Sequence, residues 1–445
     1  MNMNGNDVLD AVGVGIGPFN LSVAALLEPL KVNTAFFELQ EEFHWHAGLL
    51  FPDSALQVSF LKDLVTLADP TSRFSFLAFL SANRRLYRFI NADFPRVSRR
   101  EFVQYFRWVC DNLPSLHFGC PVRQVRLEGD LLEVSVPGRS VRTRDLVLGT
   151  GLSPQVPLCA APHLGPMVFH ASEFLSRGFD PAGKRIALVG GGQTGSELML
   201  NLLSLHGPGP RELHWVSRRN NLLPLDETAF TNELFTPAFC DHFFGLPAQA
   251  RFRLLDEYKL AGNGISPSLL QQLYRRLYEI EFLEGRGKGC SFHVGRELVE
   301  FAREGGEWRL TVRDPEGRWA PYSIAADAVI LCTGWDYRMP EFLAPLRSRI
   351  SWGENGFKVR RDFSIEWDGP AGARIYVQNA ARLSHGIAEP NLSIMAWRSA
   401  TIINSLMRRE VYDVSDPHTV FDWKHVPSGL LTHEPTHQLV EGVAP

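Results

Sequence analysis

The chain has 445 residues, 45% of them apolar and 21% charged, with 37 Gly and 29 Pro. That is ordinary globular composition in a chain longer than one core usually organises, so two or three domains are expected. A formal net charge of −4 gives no electrostatic reason to expect nucleic acid as a partner, and no run approaches the ~20 apolar residues of a membrane span.

The apolar run Val8 to Val14 reads as a strand entering Gly15-Ile16-Gly17-Pro18-Phe19-Asn20. With Asp7 and Asp10 and no basic region beside it, this stretch does not read as a signal peptide, and a soluble cytoplasmic protein is expected. A helix over 20–30 and a strand over 34–38 complete a βαβ unit. Glu38 lies 23 residues beyond Gly15, where a carboxylate ending the second strand accepts hydrogen bonds from an adenosine ribose. Asn20 stands where the fingerprint has its third glycine, a departure expected to loosen helix–strand packing. Residues 41–120 are aromatic-rich and helix-like. Residues 122–149 alternate as strands and close with Asp145-Leu146-Val147-Leu148-Gly149-Thr150-Gly151.

A second unit opens with Arg185-Ile186-Ala187-Leu188-Val189 and the turn Gly190-Gly191-Gly192-Gln193-Thr194-Gly195. In both units a strand, a tight glycine turn and a helix start would put a pyrophosphate on a helix N-terminus. One short glycine pattern is weak evidence; two, 175 residues apart, narrow the field to two-nucleotide flavoenzymes. The second unit's next strand, 212–217, ends in Ser217-Arg218-Arg219 rather than a carboxylate. A guanidinium there accommodates a 2′-phosphate, so NADPH is expected over NADH; the alternative is a pair of solvated arginines.

Residues 226–285 turn helical, with Leu254, Leu255, Tyr258, Leu269, Leu270, Leu273 and Leu277 at three-to-four spacing. Asp327 to Trp335 repeats the pattern of 145–151, a short apolar strand ending in Thr-Gly where backbone can approach a ligand or cross between domains. A last helix is expected over 393–408, after a polar turn at 385–390, and the tail beyond about 425 reads as poorly ordered. The expected architecture is therefore α/β, with two Rossmann-like domains and a small helical insert. An FAD-binding domain takes 1–160 and 326–425, an NADPH-binding domain 161–225 and 286–325, a substrate-binding insert 226–285, and a tail 426–445. The six cysteines form no CxxC or CxxxxC pair, which argues against a metal site and against a dithiol–disulfide reductase. Electrons then pass to oxygen, to a protein acceptor or to a quinone-like molecule.

The wider pattern resembles the N-hydroxylating flavin monooxygenases of siderophore biosynthesis, the lysine and ornithine N-monooxygenase family. Its carriers, spread over about residues 8–420, are Gly15-Ile16-Gly17-Pro18-Phe19-Asn20-Leu21, Trp45-His46-Ala47-Gly48, Leu56-Gln57-Val58-Ser59-Phe60-Leu61-Lys62-Asp63-Leu64, Phe169-His170-Ala171-Ser172-Glu173, Gly190-Gly191-Gly192-Gln193, Asp327 with Thr333-Gly334-Trp335, and His385-Gly386-Ile387-Ala388-Glu389-Pro390. The resemblance implies FAD and NADPH as cofactors, O2 and a small amine as substrates, a C4a-hydroperoxyflavin as oxygenating species, and a homo-oligomer by analogy. FAD contacts are expected at Gly15, Gly17, Asn20, Glu38, Trp45, His46, Gln57, Val122, Pro390, Asn391 and Leu392, and NADPH contacts at Gly190, Gly192, Gln193, Thr194, Gly195 and Arg218.

Trp45 can pack on a flavin edge or be plain core, and Gln57 can donate to a flavin carbonyl or a bound peroxide. Lys62 interrupts an apolar run; a half-buried ammonium needs an anionic partner unless it snorkels to water. The family's lysine there holds an amino-acid carboxylate. Asn232 matches the asparagine that fixes the same head group. Asn263 falls within one residue of a second asparagine, or serves a turn beside Gly264. Ser393 matches a serine near the reacting amine, and could equally be a helix N-cap. Gln57, Asn263 and Ser393 are the residues placed nearest the chemistry, Lys62, Asn232, Asn263 and Ser393 those placed on substrate. The amine stays open among lysine, ornithine, putrescine and cadaverine: Lys62 argues for a carboxylate, while Asn232, where the lysine branch is expected to have Asp, looks more like the ornithine or diamine pattern. A monooxygenase of sulfur or ketones would carry an FxGxxxHxxxWP fingerprint, which Gly165 to Phe174 does not match. A flavin-binding electron carrier is the non-enzyme rival.

Overall fold

A computed structural model describes residues 8–287, 289–353, 356–415 and 418–423. Two units repeat one plan, a parallel sheet with helices on one face and antiparallel strands on the other. In the first, Val8–Val14 runs between Thr34–Phe37 and Arg139–Leu148, parallel to both. Leu116–His117 extends one side and Arg374–Val377, from far along the chain, pairs with Arg139–Leu148 on the other. The hairpin of Gln124–Glu128 and Leu131–Val136 joins the same strand in antiparallel fashion.

The helix Arg99–Asp111 shows why this unit holds together. Phe102, Val103, Tyr105, Phe106 and Val109 are buried at three-to-four spacing, and Ser98 caps its start by accepting from the Arg100 N–H. Those side chains meet Phe76, Phe79 and the helices Pro18–Leu27 and Met395–Met407 in one aromatic core.

The second unit has five parallel strands in the order Ser291–Val294, Glu212–Ser217, Arg185–Val189, Ala328–Leu331, Val168–His170. Leu198, Met199 and Leu202 of the helix Gln193–Leu203 and Leu273 of Pro267–Tyr278 cover one face. The antiparallel strands Glu297–Glu304, Glu307–Arg313 and Tyr322–Ala326 bring Phe301, Leu310, Val312 and Ile324 to the other.

Two expectations are corrected. Ala328–Leu331 pairs with Arg185–Val189 and Val168–His170, so the chain returns to the first unit after this strand, not at 326. An apolar run of four says that a strand is buried, not which sheet accepts it. The two Thr-Gly segments do mark the crossing: Ser153–Pro154 pairs with Trp335–Asp336 just beyond them. The helical stretch 226–285 also divides. Phe239, Phe243 and Leu255 pack with Ile387 and Ala388 of the first unit's C-terminal part, while Pro267–Tyr278 belongs to the second unit's helical layer.

Asn20 is a third correction, for it tightens what it was expected to loosen. Its side chain is fully buried, and Nδ2 donates to Val14 O at 3.2 Å, Gly15 O at 2.8 Å and Val147 O at 3.2 Å. Its Oδ1 accepts from Gln378 Nε2 at 2.6 Å. The amide thus ties two strands and the turn after a third, and none of its side-chain surface is left for a cofactor. The tail 426–445 lies outside the described residues.

Candidate active site

The first cradle forms at the C-terminal end of Val8–Val14. Gly15 takes φ +85°, and a Cβ there would lie 2.5 Å from Gly149 O, a position open to glycine alone. Gly17 precedes the helix Pro18–Leu27 and supplies no side-chain cap, so the helix start keeps N–H groups free for an anion. Glu38 is fixed beside it: Oε2 accepts from Ile16 N at 2.7 Å and Oε1 from Gln40 N at 2.9 Å. Val122 flanks the same rim, two residues past Cys120, whose N–H donates to Glu38 O at 2.7 Å. Opposite, Gln378 Oε1 and Asn379 Oδ1 are buried with no donor. Gln378 is fully enclosed, but Asn379 is partly exposed, and an unpaired acceptor there suits a hydroxyl of bound FAD. Sequence reasoning passed over both residues; their signal is a pair of carboxamides directly after the strand Arg374–Val377.

Trp45 is half-buried and sets its indole edge-on to Phe106 at 5.3 Å. His46, at φ +51°, is partly open to solvent and lies between the rings of Trp45 at 5.0 Å and Trp335 at 6.2 Å. Burial, aided by the Arg99 charge, lowers its pKa to about 4, so the imidazole is neutral at physiological pH.

The second cavity, of about 820 Å³, is lined by Gly190 to Thr194, Ser217 to Arg219, Asn263, Arg296, Trp335 and Gln57. Gly190 at φ +127° would bring a Cβ to 2.1 Å from Cys332 O, and at Gly195 a Cβ would lie 2.5 Å from Gly190 O. Gly192 has open space where a Cβ would stand and begins the helix Gln193–Leu203 without a side-chain cap. This is the close approach a pyrophosphate needs. Arg218, Arg219 and Arg296 all line this cavity, and such a group of guanidinium ions suits a 2′-phosphate. Arg296 escaped the sequence reading; it follows Gly295 at the end of the next parallel strand, Ser291–Val294. Arg218→Ala is expected to raise KM for NADPH about tenfold, the worth of one charge-assisted contact, with KM for NADH unmoved in steady-state assays.

Gln193 does not offer its side chain to the nucleotide. Nε2 donates to Glu197 Oε1 at 2.8 Å, and Oε1 accepts from Ser266 N at 2.9 Å. Gln57 Nε2 donates to Ser266 Oγ at 3.2 Å.

Lys62 is half-buried, and burial lowers its pKa. Its Nζ lies 6.0 Å from the centroid of Phe235, and among the described residues no carboxylate is within ion-pair distance. Asn232 ends the short helix Ala229–Asn232, exposed and three residues before Phe235. Gln57 and Asn263 share the nucleotide cavity, whereas Lys62 lies outside that lining, beside Phe235. Ser393 is 3% exposed, its N–H and Oγ both donating to Asn391 Oδ1 at 2.8 Å. Asn391, not Ser393, is therefore the cap, and the serine is held rather than holding. Pro390 is exposed and Leu392 packs on the aromatic core. The supposed polar turn at 385–390 is in fact interior: His385 is 1% exposed and Glu389 fully buried, the latter paired with Arg398 at 2.8 Å.

Comparison with known proteins agrees with this geometry. The family described as L-lysine 6-monooxygenase/L-ornithine 5-monooxygenase matches residues 7–337. The L-lysine N6-monooxygenase of Escherichia coli is 39% identical over 422 residues, 94% of this chain and 98% of that one. The FAD-bound cadaverine monooxygenase of desferrioxamine biosynthesis from Erwinia amylovora superposes with a TM-score of 0.87 at 31% identity, over 94% of this chain and 98% of that one. The ornithine N-hydroxylase of Kutzneria sp. 744, holding reduced FAD, NADP+ and L-ornithine, gives 0.83 at 32% identity, over 90% and 99%. This chain belongs to the L-lysine 6-monooxygenase/L-ornithine 5-monooxygenase family and is an FAD- and NADPH-dependent N-hydroxylating flavin monooxygenase.

Proposed function

We propose that the chain hydroxylates the terminal primary amine of a small diamino acid, L-lysine, for hydroxamate siderophore assembly. The observation that carries this reading is Lys62, a half-buried cation with no carboxylate within ion-pair distance among the described residues. An α-carboxylate supplies the partner such a group requires. The 39% identity to a lysine N6-monooxygenase supports the same choice. Bound FAD and NADPH supply the electrons and the activated oxygen atom, and the net change is amine plus O2, NADPH and a proton to hydroxylamine, water and NADP+.

The chain's own residues bind, orient and dry the site. Lys62 takes the carboxylate, and Asn232 the remaining polar atoms of the head group. Gln57 and Asn263 line the nucleotide cavity, from which they would reach the side-chain amine, and Ser393, held by Asn391, keeps the start of the last helix in place. The amine reacts neutral, yet a free alkylammonium has a pKa of about 10.4, so only about one in a thousand is neutral at pH 7. Withdrawal of the amine from water into the closed site disfavours its charged form and so favours loss of that proton. A second reading, a diamine such as cadaverine, is favoured by Asn232 and by the similarity to the Erwinia amylovora enzyme.

Incubation with L-lysine, L-ornithine, putrescine and cadaverine in turn, scoring hydroxylamine against hydrogen peroxide, separates these. Coupled hydroxylation of L-lysine with mostly peroxide from the diamines is expected. Equal coupling with cadaverine would replace the reading with the diamine one.

A further inference from the structure

Two seams join the nucleotide-binding units. In one, Gly48 meets the Ala171–Glu173 turn so closely that a Cβ would lie 1.9 Å from Ser172 O, and Leu175 N donates to Gly48 O at 3.1 Å. In the other, Arg99, first residue of the helix Arg99–Asp111, is ion-paired with Glu197 of the helix Gln193–Leu203. Their side chains are 14% and 8% exposed, which makes this an interior pair rather than a surface one.

The contact does not stop at Glu197. The same Oε1 accepts from Gln193 Nε2 at 2.8 Å, Gln193 Oε1 accepts from Ser266 N at 2.9 Å, and Ser266 Oγ accepts from Gln57 Nε2 at 3.2 Å. The chain of bonds leaves the first unit at Arg99, passes through the helix start that opens on the NADPH cavity, and re-enters the first unit at Gln57. A rotation that separates Arg99 from Glu197 breaks a charge-assisted contact and the chain of bonds behind it. Hydride transfer needs its donor and acceptor atoms aligned about 3–3.5 Å apart, and a misplacement of about 1 Å can cost 100-fold.

We propose that Arg99, Glu197, Gln193 and Ser266 form a latch that holds the NADPH-binding unit over the flavin in the orientation hydride transfer requires. They are positioning residues for flavin reduction. The latch is independent of which amine is hydroxylated, because the step it serves precedes the amine.

The test is Glu197→Gln in the FAD-loaded protein, which keeps an acceptor for Gln193 and removes the charge that faces Arg99. Anaerobic bleaching of the flavin by saturating NADPH is expected to slow about tenfold or more, with the Kd of NADP+ within about twofold of the parent by calorimetry. In the nucleotide-free protein, hydrogen–deuterium exchange should quicken in the helices Gln193–Leu203 and Arg99–Asp111. The charge swap Arg99→Glu with Glu197→Arg should recover part of both the rate and the protection. Parental bleaching and exchange in Glu197→Gln would overturn the proposal. So would a loss of NADP+ affinity that matches the loss of rate, or a swap no better than Glu197→Gln.

Discussion

Lys62→Ala raises KM for L-lysine roughly 10- to 150-fold, the span that the 1.5–3 kcal/mol of a charge-assisted hydrogen bond converts to, while NADPH oxidation continues and its product shifts towards peroxide. The argument rests on what Lys62 lacks. Its ammonium is half-buried and desolvated enough to lower its pKa, and it lies 6.0 Å from the centre of the Phe235 ring. Substrate carboxylate thus repays a cost already present in the free enzyme. For cadaverine, which has no carboxylate, the same variant leaves KM unchanged, and Lys62→Arg retains part of the affinity for L-lysine. Steady-state kinetics with both amines checks this. An unchanged KM for L-lysine sinks the head-group role and, with it, the amino-acid reading of the site.

The parts of the site that were legible in the sequence are those in which backbone geometry demands a residue type. Gly15, Gly190 and Gly195 stand where a Cβ would overlap a carbonyl oxygen, and Glu38 ends its strand beside the first of them, so spacing alone located both cradles. Asn20 was misread because its consequence is three-dimensional: the carboxamide replaces missing close packing with four hydrogen bonds to partners up to 358 residues away. The latch through Glu197 was equally invisible, since a glutamate one turn into an amphipathic helix looks like any solvated helix residue until Arg99 is folded against it. The run 385–390 shows the converse. Its His and Glu read as surface polarity, yet Phe363 stacks on His385 at 4.1 Å and Arg398 takes up Glu389. Hydrophobic periodicity does not see a charge whose partner lies on another element.

That buried pair carries the other large expectation. Arg398 and Glu389 are both fully buried; Nη1 of the arginine donates to Glu389 O at 2.7 Å and to Oε1 at 2.8 Å, and its guanidinium lies 4.2 Å over the Phe19 ring. The backbone of Asn379, Ala380 and Ala381 opposes the rise in the Glu389 pKa, so the carboxylate sits against the segment that follows the strand Arg374–Val377. Arg398→Met keeps much of the volume and strands the carboxylate, a loss of about 3–5 kcal/mol that appears as a lowered denaturation temperature and as leakage of FAD on gel filtration. Its pH dependence has a definite sign. Burial pushes the Glu389 carboxyl up and Arg398 opposes that rise; without the arginine the folded-state pKa climbs further above the unfolded one. A carboxyl of that kind is tolerated while protonated, so the variant's deficit relative to the parent is smallest at acidic pH and grows as pH rises through the folded pKa. Adding Glu389→Gln removes the stranded charge, abolishes this pH dependence and returns part of the lost stability, whereas a strictly additive double variant would mean that the two side chains do not act as a pair.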